Sequence, residues 1–230
     1  MSKSAKQPVQ TNWFILHPKL SSSFFFVALI AIISLIAQQR YLIVKETREK
    51  EIDAMLESVE LRLDQLLKNS QNITLTLALT LDSHGNPRNF DGVAAEITKG
   101  NPYLQAVQLV PDGVIRYTYP IKGNEQALGL DLFKVSKANA AAAKRAIELR
   151  KMYYQGPVNL VQGGQGVIGR LPIYIDKKFW GFSAVVIKLD ELLKAAGIDN
   201  SNHQYYKFQF SKLNPSTESE DFFLPGNTNF

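Results

Sequence analysis

The stretch Gly166-Val167-Ile168-Gly169-Arg170-Leu171-Pro172-Ile173-Tyr174-Ile175-Asp176-Lys177-Lys178-Phe179-Trp180-Gly181-Phe182-Ser183-Ala184-Val185-Val186-Ile187-Lys188-Leu189-Asp190 decides the fold. Two β-prone runs, Arg170 to Ile175 and Phe179 to Leu189, flank a polar Asp176-Lys177-Lys178 step. That pattern predicts an antiparallel pair joined by a tight turn. Asp190 then caps a closing helix, Glu191 to Ala196, which Gly197 ends. Just upstream, Val158 to Gln162 reads as a third strand, reached across a flexible Gly163-to-Gly169 loop.

Working outward, the chain continues as mixed α and β. Val93 to Lys99 is a short helix, and Gly100-Asn101-Pro102 is a turn. Tyr103 to Val110 reads as a strand with Leu104, Ala106, Gln108 and Val110 on one face. Pro111-Asp112-Gly113 turns the chain, and Val114 to Tyr119 returns to complete a hairpin. Pro120 to Gly129 is a loop, and Ala138 to Tyr153 is an Ala-rich helix. The fold class is therefore α+β, a PAS-like antiparallel sheet with helices, whose sheet and covering helices make a small cup. Tyr205 to Phe210 starts a further strand, with its partners expected beyond the end of the chain.

The N-terminal third reads differently. Leu20 to Gln39 carries no charge and lies between Lys19 and Arg40. Twenty residues at about 1.5 Å each give about 30 Å, the thickness of a bilayer core. The basic tail and apolar run also fit a secretory signal, but Ile36-Ala37-Gln38-Gln39-Arg40 lacks a small-x-small cleavage site, which favours an uncleaved anchor. From Tyr41 to Thr80 there is neither Pro nor Gly, and Ile52, Leu56, Val59, Leu63, Leu66, Ser70, Ile73 and Leu77 recur in steps of four and three. This is a heptad seam on a stalk helix, open to two uses: a parallel dimer contact, suited to its charged first half, or packing on its own domain, suited to its apolar second half. His84-Gly85-Asn86-Pro87 ends the helix.

Composition narrows the function. The 230 residues are 45% apolar and 20% charged, without Cys, and the formal net charge is +5. Disulfides, thiolate catalysis and Cys-based metal sites are excluded. The first forty residues hold Lys3, Lys6, Lys19 and Arg40 and no acid, which leaves 22 bases against 21 acids in the remainder. A nearly neutral body lacks the basic stripe that nucleic acid requires. Gly164-x-Gly166-x-x-Gly169 spells a dinucleotide fingerprint, but Arg170-Leu171-Pro172-Ile173-Tyr174 follows it where a helix must begin. His17, His84 and His203 stand apart, and no nucleophile, base and orienter assemble, so neither enzyme, metal site nor cofactor is expected. Glu218, Glu220 and Asp221 fall in a Ser/Thr/Pro loop, and Asn72-Ile73-Thr74 is a glycosylation sequon placed in the helix seam. What remains is recognition in the cup, where Tyr117, Tyr119, Tyr153, Tyr154 and Arg170 stand at or beside sheet positions, the tyrosines also serving as core filling.

An ordered series of short motifs then points to a family. Leu104-x-x-Val107-Gln108-Leu109-Val110-Pro111, Gly123-Asn124, Leu128-Gly129-Leu130-Asp131-Leu132, Ala138 to Ala146, Gly156-Pro157-Val158-Asn159-Leu160, Gly166-Val167-Ile168, Leu171-Pro172-Ile173-Tyr174, Trp180-Gly181-Phe182 and Leu189-Asp190-Glu191-Leu192-Leu193 together resemble the CHASE domain, an extracytoplasmic sensor that includes plant cytokinin receptors. The resemblance spans roughly residues 75–200. It implies a cytoplasmic tail (1–19), a transmembrane helix (20–39), a stalk helix (40–80), a PAS-like sensor (81–200) and the incomplete start of a membrane-proximal PAS-like segment (201–230). It implies signalling through a following transmembrane helix to a kinase or cyclase output, while the apolar run gives one pass through the inner (plasma) membrane with the sensor periplasmic, and the seam gives a homodimer through the stalk. It places ligand contacts near Asn139, Gln155, Leu160 and Arg170. Asn139 stands where cytokinin-binding members carry an adenine-gripping Asp, and Arg170 replaces a small polar residue. An Arg facing the cup favours an anionic small molecule over a cytokinin.

Overall fold

The computed structural model describes residues 18–161, 163–198, 210–213 and 220–223. The chain divides into two compact units, Met1–Leu56 and Glu57–Phe230. Helix α1 covers Pro18–Ala78. Within the first unit its large apolar side chains, from Phe24 through Ile36, stand exposed. An 18-residue window in it reaches a mean hydropathy of 1.9 with none of the window buried. A helix that is apolar on every face and covered by no protein is suited to lipid, and this one is long enough to cross a bilayer.

The second unit is built on a five-stranded antiparallel sheet. After α1 come α2 (Phe90–Lys99), β1 (Leu104–Pro111), β2 (Tyr117–Tyr119), a 3-10 turn (Glu125–Ala127), α3 (Lys137–Leu149), β3 (Tyr153–Asn159), β4 (Gln165–Ile175), β5 (Lys178–Lys188) and α4 (Leu189–Ala195). The spatial order is β2-β1-β5-β4-β3. The central strand β5 is buried continuously from Gly181 to Ile187, which explains its unbroken apolar run: both of its faces are covered. On one face Val107, Leu109, Val185 and Ile187 pack against Ile73 and Leu77 of α1 and Phe90 and Ala94 of α2. On the other, Val110, Phe182 and Ala184 pack against Ala143 and Ala146 of α3 and against Ile115, Ala127 and Leu132 from the long connection. The seam divides as its composition suggests. Val59, Ser70, Ile73 and Leu77 are buried, Leu63 and Leu66 pack on the core, and Ile52 and Leu56 stay exposed.

Several boundaries differ from the sequence expectation, each for a physical reason. Helix α3 stops at Leu149, not Tyr153, because Arg150 adopts a left-handed conformation (φ 50°) without a glycine to announce it. Tyr153 and Tyr154 therefore belong to β3, which runs Tyr153–Asn159 and not Val158 to Gln162. The hairpin's return strand begins only at Tyr117. Val114 and Ile115 turn away and bond the distant loop, Ile115 N–H donating to Leu130 O at 3.0 Å and Gly129 N–H to Ile115 O at 2.8 Å. The expected Gly163-to-Gly169 loop is mostly strand, since β4 starts at Gln165. Gly166 is needed there for close approach: a Cβ would lie 2.5 Å from Ile187 O and 2.6 Å from Leu160 Cδ1. Asp190 lies inside α4, whose cap is Lys188, and α1 ends at Ala78, ahead of the Gly-Pro signal. Tyr205 to Gln209 lie outside the described residues. Phe210 opens β6 (Phe210–Leu213), which pairs with β7 (Glu220–Phe223) inside this chain, so Glu220 and Asp221 are strand residues.

Candidate functional site

The strand register places one row of residues across all five strands: Thr118, Gln108, Ala184, Arg170 and Tyr153. The neighbouring row reads Ala106, Val186, Ile168 and Gln155. Residues directly opposite in antiparallel strands share a face, so these side chains stand together on the α3 side. Ala184, between Gln108 and Arg170, contributes only a methyl group. A cavity of about 90 Å³ lies on this face of the sheet. Val186, Ile168, Gln108 and Arg170 form the floor. Leu130 and Leu132 roof it from the connection, Asn139 enters from α3, and Val158 to Val161 close the side.

Arg170 is 2% exposed. Its Nη1 donates to Gln155 Oε1 at 2.5 Å and its Nη2 to Asn139 Oδ1 at 2.8 Å. Both acceptors are neutral, and among the described residues no carboxylate pairs with this guanidinium. Burial brings its pKa down to about 10. Asn139 is oriented by the start of α3. Ser136 Oγ accepts from the Asn139 backbone N–H and from its Nδ2, each at 3.1 Å, which turns Oδ1 toward Arg170. The first turn of α3 holds no acid, so the positive end of its dipole adds to the arginine's field.

Of the four residues expected at the site, Asn139, Leu160 and Arg170 line the cavity. Gln155 does not line it but holds Arg170 from the adjacent row. Gln108 was missed. It is buried, lines the cavity, and donates to Thr118 Oγ1 only at the long distance of 3.5 Å. Its signal was a polar residue set between the buried apolar Val107 and Leu109. Tyr117 and Tyr119 face the opposite layer, Tyr117 lying 5.7 Å from the Phe90 ring, and Tyr153 packs on the α3-side core. Tyr154 points at α1, where its hydroxyl donates to Leu67 O at 2.6 Å and lies 2.7 Å from Ser70 Oγ. Burial pushes the Tyr154 hydroxyl pKa above its ordinary value. A larger, open depression beside α1 is bordered by Arg62, Asn69, Asn101 and Tyr103. There Asn69 and Tyr103 are already bonded to each other and to Asn101. No group of three His, Cys, Asp or Glu able to hold a metal occurs among the described residues.

Solved structures share this architecture. The extracellular ligand binding receptor from Desulfohalobium retbaense DSM5692 is 16% identical with a TM-score of 0.50, over 61% of this chain and 25% of its own. The extracellular domain of a histidine kinase designated soHK1S-Z6 is 18% identical with a TM-score of 0.54, over 70% of this chain and 68% of its own. This chain thus spans only a quarter of the first of these proteins, and at such identities the likeness concerns the fold. No curated protein has a sequence that matches this one. The model of the CHASE domain matches residues 108–223, half of the chain, taking in Gln108, Asn139, Gln155, Leu160 and Arg170. The chain belongs to the CHASE domain family.

Proposed function

We propose that this protein is a membrane-anchored, non-catalytic sensor whose extracytoplasmic CHASE domain binds a small anionic molecule in the cavity at Arg170. Residues 1–19 stay in the cytoplasm, 20–39 span the inner membrane, 40–80 form the stalk and 81–200 form the periplasmic sensor. Residues 201–230 begin a membrane-proximal segment. The exposed seam residues Ile52 and Leu56 suit pairing with a second copy of the stalk, and the bound state is passed to a histidine kinase or cyclase output. The observation that carries this reading is a buried guanidinium lining a cavity with, among the described residues, no carboxylate beside it. An unpaired buried charge is costly, and a ligand anion supplies the missing partner. Asn139 and Gln155 position that arginine, and Leu160 shapes the cavity wall.

The test is thermal unfolding of the full chain in detergent against a panel of anionic metabolites. A ligand that binds only the folded state raises the melting temperature, and the added stability is set by its concentration over Kd, about 2.7 kcal/mol at a hundredfold excess. At least one anion is expected to stabilise the wild type and to leave Arg170→Gln unchanged. If every anion fails, or if all act equally on both proteins, the sensor reading is wrong and a tethered scaffold takes its place.

A further inference from the structure

We infer that the ligand is a short monocarboxylate of the acetate or propionate size, with an apolar tail and no ammonium group; this rests on the sensor reading above. Three features of the cavity converge on that class. Among its described lining residues Arg170 is the only ionisable one. One cation pairs one carboxylate, so a dicarboxylate leaves its second charge unmatched, and an amino acid leaves its ammonium facing neutral walls. The walls are Ile115, Leu130, Leu132, Val158, Ile168 and Val186, all aliphatic. An ion whose outer atoms are all oxygens, such as nitrate, would press unpaired oxygens against methyl groups. A carboxylate with an alkyl end puts its oxygens on Arg170 and its carbon on those walls. Three of the four polar lining residues gather at one end: Arg170 and Asn139 are bonded to each other, and Gln108 stands in the same strand row as Arg170, whereas Asn159, opposite Gln165, stands toward the other.

Size sets the length. An apolar cavity of about 150 Å³ accepts the six carbons of benzene, so the 90 Å³ here scales to about four heavy atoms. Acetate has four and propionate five. A ligand of that size cannot bind tighter than about the micromolar range. Two of the five Arg170 N–H donors are engaged by Gln155 and Asn139, and the fork geometry of a guanidinium suits the two oxygens of a carboxylate.

The experiment uses the full chain in detergent, with calorimetric titration and thermal unfolding at matched sodium concentration. Acetate and propionate are compared with glycine and L-alanine, which are the same acids carrying an ammonium, and with nitrate and succinate. Propionate or acetate is expected to bind at least tenfold tighter than its amino-acid counterpart, than nitrate and than succinate. Arg170→Gln is expected to weaken binding by about tenfold or more. Val135→Phe provides a second variant: Val135 lines the cavity yet is 43% exposed, so the larger ring obstructs the entrance without entering the core. It should weaken binding while the melting temperature without ligand stays near wild type. L-alanine or nitrate binding as tightly as propionate overturns the inference, as does propionate binding that survives both variants. If neither monocarboxylate binds but another anion stabilises wild type and not Arg170→Gln, the class is wrong and the anion sensor stands. If no anion acts, both readings fall.

Discussion

The clasp between β3 and α1 makes a prediction that can be worked out by counting protons. Tyr154 Oη, Ser70 Oγ and Leu67 O form a triangle with sides of 2.6, 2.7 and 2.7 Å. Two hydroxyls carry two hydrogens, so only two sides are hydrogen bonds at any moment. Tyr154→Phe leaves Ser70 donating to Leu67 O, and Ser70→Ala leaves Tyr154 donating to the same oxygen. Each substitution removes one bond and orphans no polar hydrogen, which puts its cost near the net value of about 1 kcal/mol. Ala also gains about 0.5 kcal/mol of helix propensity over Ser, so Ser70→Ala is expected to cost about 0.5 kcal/mol. The double variant removes both bonds and should cost about 1.5 kcal/mol, the sum of the two. A double-mutant cycle is therefore expected to show near-zero coupling between side chains in direct contact, where coupling of about 0.5–3 kcal/mol is usual. Urea unfolding of the full chain in detergent, followed by circular dichroism, reads these differences, and each kcal/mol moves the melting temperature by about 2–4 °C. A coupling of about 1 kcal/mol or more would refute the reasoning, because it would mean that the two hydroxyls bond each other exclusively and Leu67 O is not shared.

Two further predictions concern the sheet and the turns. Gly166→Ala sets a Cβ against the carbonyl of Ile187, which is backbone and cannot give way, and against Leu160. It should cost about 1–3 kcal/mol in urea unfolding and push Leu160 into the cavity, weakening ligand binding as well; unchanged stability would contradict the close approach described here. Asp82 is held below its ordinary pKa by the backbone N–H of Asn86, and Asp131 by Lys134. Both are charged in the folded state at pH values where the unfolded chain already binds protons. Their stabilisation is complete above the ordinary value of 3.8 and is lost as pH falls through it toward the folded values. Asp82→Asn and Asp131→Asn should each flatten the decline in melting temperature below about pH 4, and an unaltered acid limb would show that neither carboxylate is held this way.

Much of the architecture was legible because it depends on local signals. The Asp176-Lys177-Lys178 step does join β4 to β5, and the second half of the step-of-four-and-three pattern on α1, from Leu63 to Leu77, does mark residues that pack on the sheet. The errors arose where a distant partner decided the outcome. Val114 and Ile115 alternate like a strand, yet Val114 pairs with Asp131 and Ile115 bonds residues 129 and 130 farther along the chain. Gly166 looked like loop chemistry, but its missing side chain makes room for Ile187 O and Leu160 from other elements. Arg150 ends α3 in a conformation that glycine usually signals, steadied by its guanidinium 5.0 Å from the Tyr174 ring. The site was legible in a similar measure. Arg170, Asn139 and Leu160 were reached through resemblance, whereas Gln108 joins them only through a register that pairs it with Ala184 and Ala184 with Arg170.

One consequence follows from the order of two adjacent residues on β3. Gln155 bonds the arginine of the cavity, and Tyr154 bonds the helix on the other side of the sheet. A single peptide unit on an edge strand therefore belongs to both attachments, and a displacement that lengthens one alters the other. Linkage then works in both directions: a tenfold change in cavity affinity on releasing the clasp requires a tenfold change in the clasp equilibrium on filling the cavity. On the proposed reading, affinity at Arg170 would accordingly depend on how α1 is held. Strain applied to the stalk would then be expressed as a different dissociation constant on the far face of the sheet.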